Sequence, residues 1–174
     1  IVWKMSRGII SIHVGSCGNK IGSSFWDMIT KEHSINQYSW HSNYDFEYQR
    51  ENVDVYYNET LICNYIPRAI FVDLDKDSIN NLQKSACYDP KNIIFAESTI
   101  HNNWAAAFYN QGKELIESIT EAIRYEAEAC DSLLGFHLFH SLGGGTGSGL
   151  GSLILNEIHD EYPDFQIPNH GFLE

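Results

Sequence analysis

A run of glycines between a strand-like segment and an amphipathic segment constrains the fold of this chain more than any other feature. Six of the nine residues from Gly143 to Gly151 are glycine. Each glycine costs roughly 0.5–1 kcal/mol relative to alanine inside a regular element, so such a run indicates a sharp turn or a close backbone approach. Residues 132–142 before it are apolar almost throughout, as in a strand covered on both faces. After the run, apolar residues recur at helical spacing and predict an amphipathic helix: Leu150, Leu153, Ile154 and Ile158.

A strand, a glycine loop and a helix in this order form the unit with which α/β folds bind phosphate at a helix N-terminus. Glycine lets the backbone approach an anion without interference from a Cβ atom. Thr146 and Ser148 could cap the helix or donate hydroxyls to phosphate oxygens. A flexible linker is the alternative, but linkers are not flanked directly by a buried strand and an amphipathic helix. We therefore predict an anion site at this loop.

The chain as a whole alternates between strand-like and helix-like segments in the order β-α-β-α-β-α-β-α. Strands are predicted at 9–14, 66–75, 92–97 and 132–142. Helices are predicted from about 19 to 33, 78 to 84, 102 to 129 and 150 to 162, and residues 34–65 are predicted to form a long loop. This order predicts an α/β fold, a Rossmann-like parallel sheet with helices on both faces and ligands at the carboxyl ends of its strands.

Composition limits the classes of partner. The 174 residues suffice for one domain, and the formal net charge of −12 repels nucleic acid and anionic membrane surfaces. No apolar run approaches the roughly 20 residues of a membrane span.

The four cysteines show no C-x-x-C spacing, which favours reduced thiols in the cytosol over a disulfide framework. Because the net charge is negative, an anionic ligand would need a local positive site, such as backbone N–H groups.

Neither of the two commonest nucleotide patterns is present. No lysine follows the glycine run, as the P-loop requires, and the first βα turn, "VGSCGNKIG", does not match G-x-G-x-x-G. A Rossmann-type NAD oxidoreductase remains an alternative of a different class. It needs an acid at the end of the second strand, which Asp73 or Asp75 could supply.

The chain resembles the tubulin family, and among tubulins most closely β-tubulin, from about Arg7 to Pro163. The segments that carry the resemblance include "GNKIGSSFWDMITKEH", "YIPRAIFVDLD", "NNWA" and "HSLGGGTGSG". It implies a partial GTP-binding domain at residues 1–163, incomplete at its C-terminal end, followed by a divergent tail at 164–174. It also implies GTP or GDP with Mg²⁺, a cytoplasmic microtubule constituent, and head-to-tail partners similar to α-tubulin. A degenerate tubulin fragment that binds no nucleotide remains an alternative.

The resemblance also implies the site residues. The glycine loop contributes Ser141, Gly144, Gly145, Thr146 and Gly147, and the first loop contributes Ser16, Cys17 and Lys20. Asn102, beside Asn103, belongs to a third nucleotide loop, and Asp75 lies at the position near Mg²⁺. From the residues alone, Cys17 would be a core thiol, Asp75 a solvated strand-end carboxylate, and the two asparagines a helix N-cap.

Several loops depart from the tubulin pattern. Ser16 and Lys20 stand where the family has glutamines, Lys76 and Asp77 replace a Pro-Gly pair, and residues 99–101 replace a Gly-Ala-Gly sequence. The side chains of residues 99–101 would crowd a backbone that must approach phosphates. Only the glycine loop keeps the family pattern, so weak nucleotide binding is expected. The family's hydrolysis-activating residue lies beyond the segment of resemblance, so we expect no appreciable GTP hydrolysis by this chain alone.

Three further expectations concern side chains and the sheet edge. His137 and His140 are predicted to point to opposite faces of a strand, which prevents them from sharing a metal ion. An uncovered sheet edge is expected after Pro163, where we identify no further strand. One solvated acidic helix surface is predicted from Glu114, Glu117, Glu121, Glu126 and Glu128.

Overall fold

The computed structural model describes residues 7–33, 35, 52–59, 65–83, 88–96, 103–165 and 167–172. Its strands are β1 (Arg7–Val14), β2 (Tyr57–Glu59), β3 (Tyr65–Pro67), β4 (Ala69–Asp73), β5 (Ile93–Phe95), β6 (Ser132–Ser141) and β7 (Asn169–Phe172). Its helices are α1 (Gly15–Glu32), α2 (Val53–Tyr56), α3 (Lys76–Gln83), α4 (Trp104–Ala106), α5 (Gly112–Glu128) and α6 (Gly151–Glu161). A π-helical turn at Ala107–Gln111 joins α4 to α5, and another at Thr146–Leu150 precedes α6.

Five strands form one parallel sheet in the order β5-β4-β1-β6-β7. Side chains alternate between its two faces, as the period of a strand requires. Ile70 and Val72 pack with α5 and α6 on one face, whereas Ala69 and Phe71 pack with α1 and α3 on the other. The predicted parallel sheet with helices on both faces is therefore confirmed.

The second predicted strand, at 66–75, is divided in the structure. Residues 65–67 pair antiparallel with β2, whereas residues 69–73 pair parallel with β1. The change of partner occurs at Arg68, whose N–H donates to the Tyr56 carbonyl at 2.9 Å while its own carbonyl accepts from Ser11 N–H at 3.0 Å. The prediction of one continuous strand was wrong because this switch depends on partners distant in the chain.

The predicted long loop at 34–65 contains regular structure where it is described. Helix α2 and strand β2 lie within it, while most of the remaining positions lie outside the described residues. These elements have four and three residues, too few to produce a clear hydrophobic period.

A fifth strand covers the sheet edge where no further strand was expected. Leu138 of β6 pairs with Asn169 of β7, and Ser141 pairs with Phe172. Phe165 and Ile167 pack against the hydrophobic core. The expectation of no strand after Pro163 was wrong, since a four-residue strand without alternating apolar residues carries little signal. The division into 1–163 and 164–174 stays a prediction.

The predicted acidic surface of α5 is correct except at one residue. Glu126 is buried, and it accepts hydrogen bonds from Asn92 Nδ2 at 2.7 Å and Asn58 Nδ2 at 3.0 Å. Burial raises its pKa, against the effect of these amides and of Arg68. The other four glutamates are exposed. Among the described residues, no helix combines the length and apolar character needed to cross a membrane.

Candidate anion-binding site at the carboxyl edge of the sheet

The start of helix α1, directly after β1, and the glycine run after β6 lie side by side. Val14, the last residue of β1, pairs with His140 of β6 and with Val72 of β4. Because the strands are parallel, the segments that follow them emerge at the same edge. The structure thus brings the first predicted loop and the glycine loop together.

Gly15 and Gly147 make the closest approach between these two segments. Gly15 has a φ of +75°, and a Cβ atom built on it would lie 3.1 Å from Gly147 N and 3.5 Å from Thr146 Cβ. A Cβ atom on Gly147 would collide with Ser141 Oγ and lie 2.9 Å from Ser141 N. The two backbones meet here because neither residue has a side chain, which is the arrangement that phosphate-binding turns require.

The glycine run leads directly into the N-terminus of a helical segment. Gly149 N–H donates to Gly145 O at 2.8 Å, which starts the helical pattern that continues into α6. The first N–H groups of a helix have no acceptor within the helix, and the helix dipole adds positive potential there. The N-cap residue, Gly145, supplies no side-chain cap. The first backbone N–H groups of this helical segment can therefore donate hydrogen bonds to an anion.

Ser148 and Ser141 stabilise the loop from within. The Ser148 hydroxyl donates to Gly144 O at 2.5 Å. Ser148 lies inside the helical segment, so the expectation that it caps the helix was wrong, whereas its contact with phosphate stays a prediction. The Ser141 hydroxyl is buried and donates to Gly143 O at 3.0 Å. Gly144 has a φ of +83°, a conformation that other residues adopt only with strain.

His140 connects the glycine loop to strand β7, a role that the sequence analysis missed. Its Nδ1 lies 2.9 Å from Gly147 O and 3.0 Å from Ser141 O, and its Nε2 lies 2.8 Å from Asn169 Oδ1. Its predicted place as a buried strand-end histidine is confirmed, with 3% of its surface exposed. The one sequence signal for this contact with the loop was the position of His140, three residues before the glycine run.

The predicted residues of the first loop lie on a helix. Helix α1 begins at Gly15, so Ser16, Cys17 and Lys20 occupy its first two turns, and the interpretation of "GSCG" as a loop was wrong. Ser16 and Lys20 are exposed, and Cys17 is half-buried. A Cβ atom on Gly18 would collide with Phe139 O, which shows how closely α1 packs on β6. The N-terminus of α1 therefore lies at the same edge as the glycine loop.

Asp75 is exposed, and its carboxylate caps α3. Its Oδ1 accepts from Asp77 N–H at 3.1 Å and its Oδ2 accepts from Ser78 Oγ at 3.1 Å. Each carboxylate oxygen can accept a second hydrogen bond, so a water molecule can still reach it. The residue therefore fits contact with a hydrated cation.

Asp73 is buried and occupied by protein donors. It accepts from Asn19 Nδ2 at 3.2 Å, Leu74 N–H at 2.8 Å and Asp75 N–H at 3.3 Å. Burial raises its pKa to about 6, although these hydrogen bonds act in the opposite direction. Its oxygens are not presented to a ligand.

The third predicted loop is described only at its end. Asn102 and residues 99–101 lie outside the described residues. Asn103 Oδ1 accepts from Ala105 N–H at 3.0 Å and Ala106 N–H at 3.3 Å, so the N-cap alternative is confirmed for this residue. Within the described ranges, no three His, Cys, Asp or Glu side chains group as metal ligands.

Comparison with known proteins agrees with this architecture. Residues 8–170 match the GTPase domain of the Tubulin/FtsZ family. The chain is 43% identical over 171 residues to the tubulin beta-4B chain of Mesocricetus auratus, which covers 96% of this chain and 59% of that protein. It is 46% identical over 161 residues to a tubulin beta chain of Bombyx mori, which covers 91% of this chain and 36% of that protein. The chain therefore spans less than two thirds of the length of each relative. It belongs to the Tubulin/FtsZ family, whose GTPase domain it matches along most of its own length.

Proposed function

We propose that this chain is a nucleotide-binding segment of a tubulin-like cytoskeletal protein and that it binds GTP or GDP through the phosphates. The observation that carries the proposal is the contact between Gly15 and Gly147 beside two helix N-termini. The family match supports a guanine nucleotide as the ligand, because the matched domain is a GTPase domain.

Local donors must overcome an unfavourable overall charge. A net charge of −12 repels a triphosphate, so binding depends on backbone N–H groups and on Lys20. Helices α1 and α6 both start at this edge, and their dipoles add in the region between the two helix N-termini. Ser141, Gly144, Gly145, Thr146 and Gly147 form the phosphate loop in this proposal, with Ser16, Cys17 and Asn102 as further contacts.

Mg²⁺ would bind near Asp75 through water. When bound, the ion supplies positive charge that neutralises the phosphates. The variant Asp75→Asn separates this role from helix capping, because asparagine caps a helix as well as aspartate does. We expect the variant to unfold at the same urea concentration as wild type and to lose most of the extra stabilisation that Mg²⁺ adds to GTP. Equal Mg²⁺ dependence in both proteins would exclude Asp75 from the cation site.

The relatives support a proposal for partners and location, because both are tubulin chains. We propose that the protein acts in the cytoplasmic cytoskeleton and contacts other tubulin subunits, α-tubulin-like ones head to tail. Co-sedimentation of the chain with assembling tubulin, with and without GTP, tests this. Recovery of the chain only in the supernatant under both conditions would contradict it.

The NAD alternative receives less support from the site. An NAD enzyme needs a free acid at the end of the strand next to β1. Asp73 is buried among protein donors, and Asp75 caps α3. No described carboxylate at this position is free of helix or backbone contacts, so we favour the guanine nucleotide.

A matched pair of threonine variants tests the proposed site. Thr146→Val removes a hydroxyl at the glycine loop and keeps the shape of the side chain, whereas Thr120→Val makes the same change on α5. Both threonines are half-buried. Thermal unfolding is followed with Mg²⁺ alone and with added GTP, ATP or NAD. A ligand at 100 times its dissociation constant stabilises the folded state by about 2.7 kcal/mol.

We expect GTP to raise the melting temperature of wild type and of Thr120→Val by the same amount. Thr146→Val should show a smaller shift and an unchanged melting temperature without ligand. Equal GTP shifts in all three proteins would place the ligand elsewhere. A larger shift with NAD than with GTP would support the oxidoreductase, and no shift with any nucleotide would support the degenerate fragment.

A further inference from the structure

Two histidines outside the proposed nucleotide site lie close together on neighbouring strands. The ring centroids of His137 on β6 and His170 on β7 are 5.4 Å apart, with 67° between the ring planes. His137 is half-buried and His170 is exposed, so both can be reached from solvent at the edge of the sheet. Strand β7, which brings His170 beside His137, was not expected from the sequence.

Strand register places both rings on one face of the sheet. His170 pairs with Phe139, and His137 lies two residues before Phe139, so all three side chains point the same way. His170 stacks on the Phe139 ring at 4.8 Å with 19° between the planes, and this stacking orients it. The separation of the two histidines is therefore determined by the sheet and by a ring contact.

We propose that His137 and His170 bind a divalent transition-metal ion such as Zn²⁺ or Ni²⁺. Imidazole nitrogen is a preferred ligand for these ions, whereas Mg²⁺ takes oxygen ligands, so this site is distinct from the proposed nucleotide cation. Two rings bound to a tetrahedral ion at the usual metal–nitrogen distance have their centroids roughly 5 Å apart, close to the observed separation.

Water completes the coordination of the ion in this site. No third His, Cys, Asp or Glu joins the pair among the described residues. A bound ion would link β7 to β6 and stabilise the edge of the sheet. Since β7 also carries Asn169, which contacts His140, the ion would stabilise the strand that supports the glycine loop.

The experiment titrates the full chain with Zn²⁺ in competition with a chromogenic chelator and records the imidazole resonances by NMR. His170→Gln and His137→Gln each remove one ligand. His159→Gln is the matched control, because His159 is an exposed histidine on α6. Urea unfolding without metal verifies that each variant is folded, and Ni²⁺ is titrated in parallel.

We expect one equivalent of Zn²⁺ to bind and to shift the resonances of His137 and His170 together. Each ligand variant should weaken binding by about tenfold or more, and His159→Gln should bind like wild type. The proposal is overturned if His170→Gln retains the affinity and stoichiometry of wild type, or if no saturable binding occurs. Shifts confined to other histidines would also overturn it.

Discussion

The indole Nε1–H of Trp26 donates a hydrogen bond to Nε2 of His13, at 3.2 Å, between helix α1 and strand β1. His13 is fully buried and stacks between Phe71, at 4.8 Å, and Phe139, at 4.9 Å. Because Nε2 accepts, the neutral ring carries its proton on Nδ1. Burial lowers the pKa of His13 to about 3, so the folded state holds this ring uncharged.

His13 should make the fold less stable as the pH falls. Below the ordinary histidine pKa of 6.5 the unfolded chain takes up a proton that the folded chain does not, down to about pH 3. The contribution of His13 is therefore complete above pH 6.5 and falls by up to about 1.4 kcal/mol per pH unit below it. Glutamine can accept the Trp26 hydrogen bond without titrating. We expect the stability of wild type relative to His13→Gln to fall between pH 7 and pH 4, as measured by urea unfolding. A difference independent of pH would contradict the assignment.

Asp73 should have the opposite dependence on pH. Its pKa is raised to about 6 in the folded state, so the folded chain binds the proton more tightly than the unfolded chain does. The resulting stability is complete below the ordinary pKa of 3.8 and is lost as the pH rises through about 6. Wild type should therefore gain stability relative to Asp73→Asn between pH 7 and pH 4. The same urea titrations measure it, and a loss in that range would refute the prediction.

Truncation of Glu126 should destabilise the fold through its unpaired partners. Glu126→Ala leaves the buried Asn92 amide and the Asn58 amide without their acceptor. Each lost partner costs about 1–3 kcal/mol, so a loss of a few kcal/mol is expected. Glu117→Ala, at an exposed position on the same helix, should stay within about 0.5 kcal/mol of wild type. Chemical denaturation measures the free energy of unfolding of wild type and of both variants. Equal values for the two variants would show that Glu126 is not buried.

Two glycines of the same loop should differ in their tolerance of a methyl group. A Cβ atom on Gly147 would meet the Ser141 side chain and backbone, whereas one on Gly143 meets nothing within 4 Å. Gly147→Ala should therefore destabilise the chain by about 1–3 kcal/mol, the usual cost of overpacking, and reduce any GTP-dependent thermal shift. Gly143→Ala should melt within a degree or so of wild type. Thermal unfolding with and without GTP measures both effects. Equal melting temperatures of the two variants would argue against close packing at Gly147.

The sequence by itself determined the parallel sheet and the location of the candidate site. Apolar strands, amphipathic helices and the glycine run from Gly143 to Gly151 are local signals, because each arises from neighbouring residues. Alternation of strand and helix then favours one topology, and the carboxyl ends of its strands define one edge. The sequence also contained the asparagine that caps α4, since an N-cap acts within its own turn.

Only the tertiary structure decided which distant residues meet. Arg68 bonds through its backbone to both Tyr56 and Ser11, Glu126 accepts hydrogen bonds from two asparagines, and His140 contacts Asn169. None of these contacts leaves a periodic pattern in the chain, because each joins residues that come together only after the sheet has formed. The same holds for β7, whose four residues pair with β6 without an alternation of their own. Local propensity is read along the chain, whereas burial and pairing depend on the complete packing of the sheet and its helices.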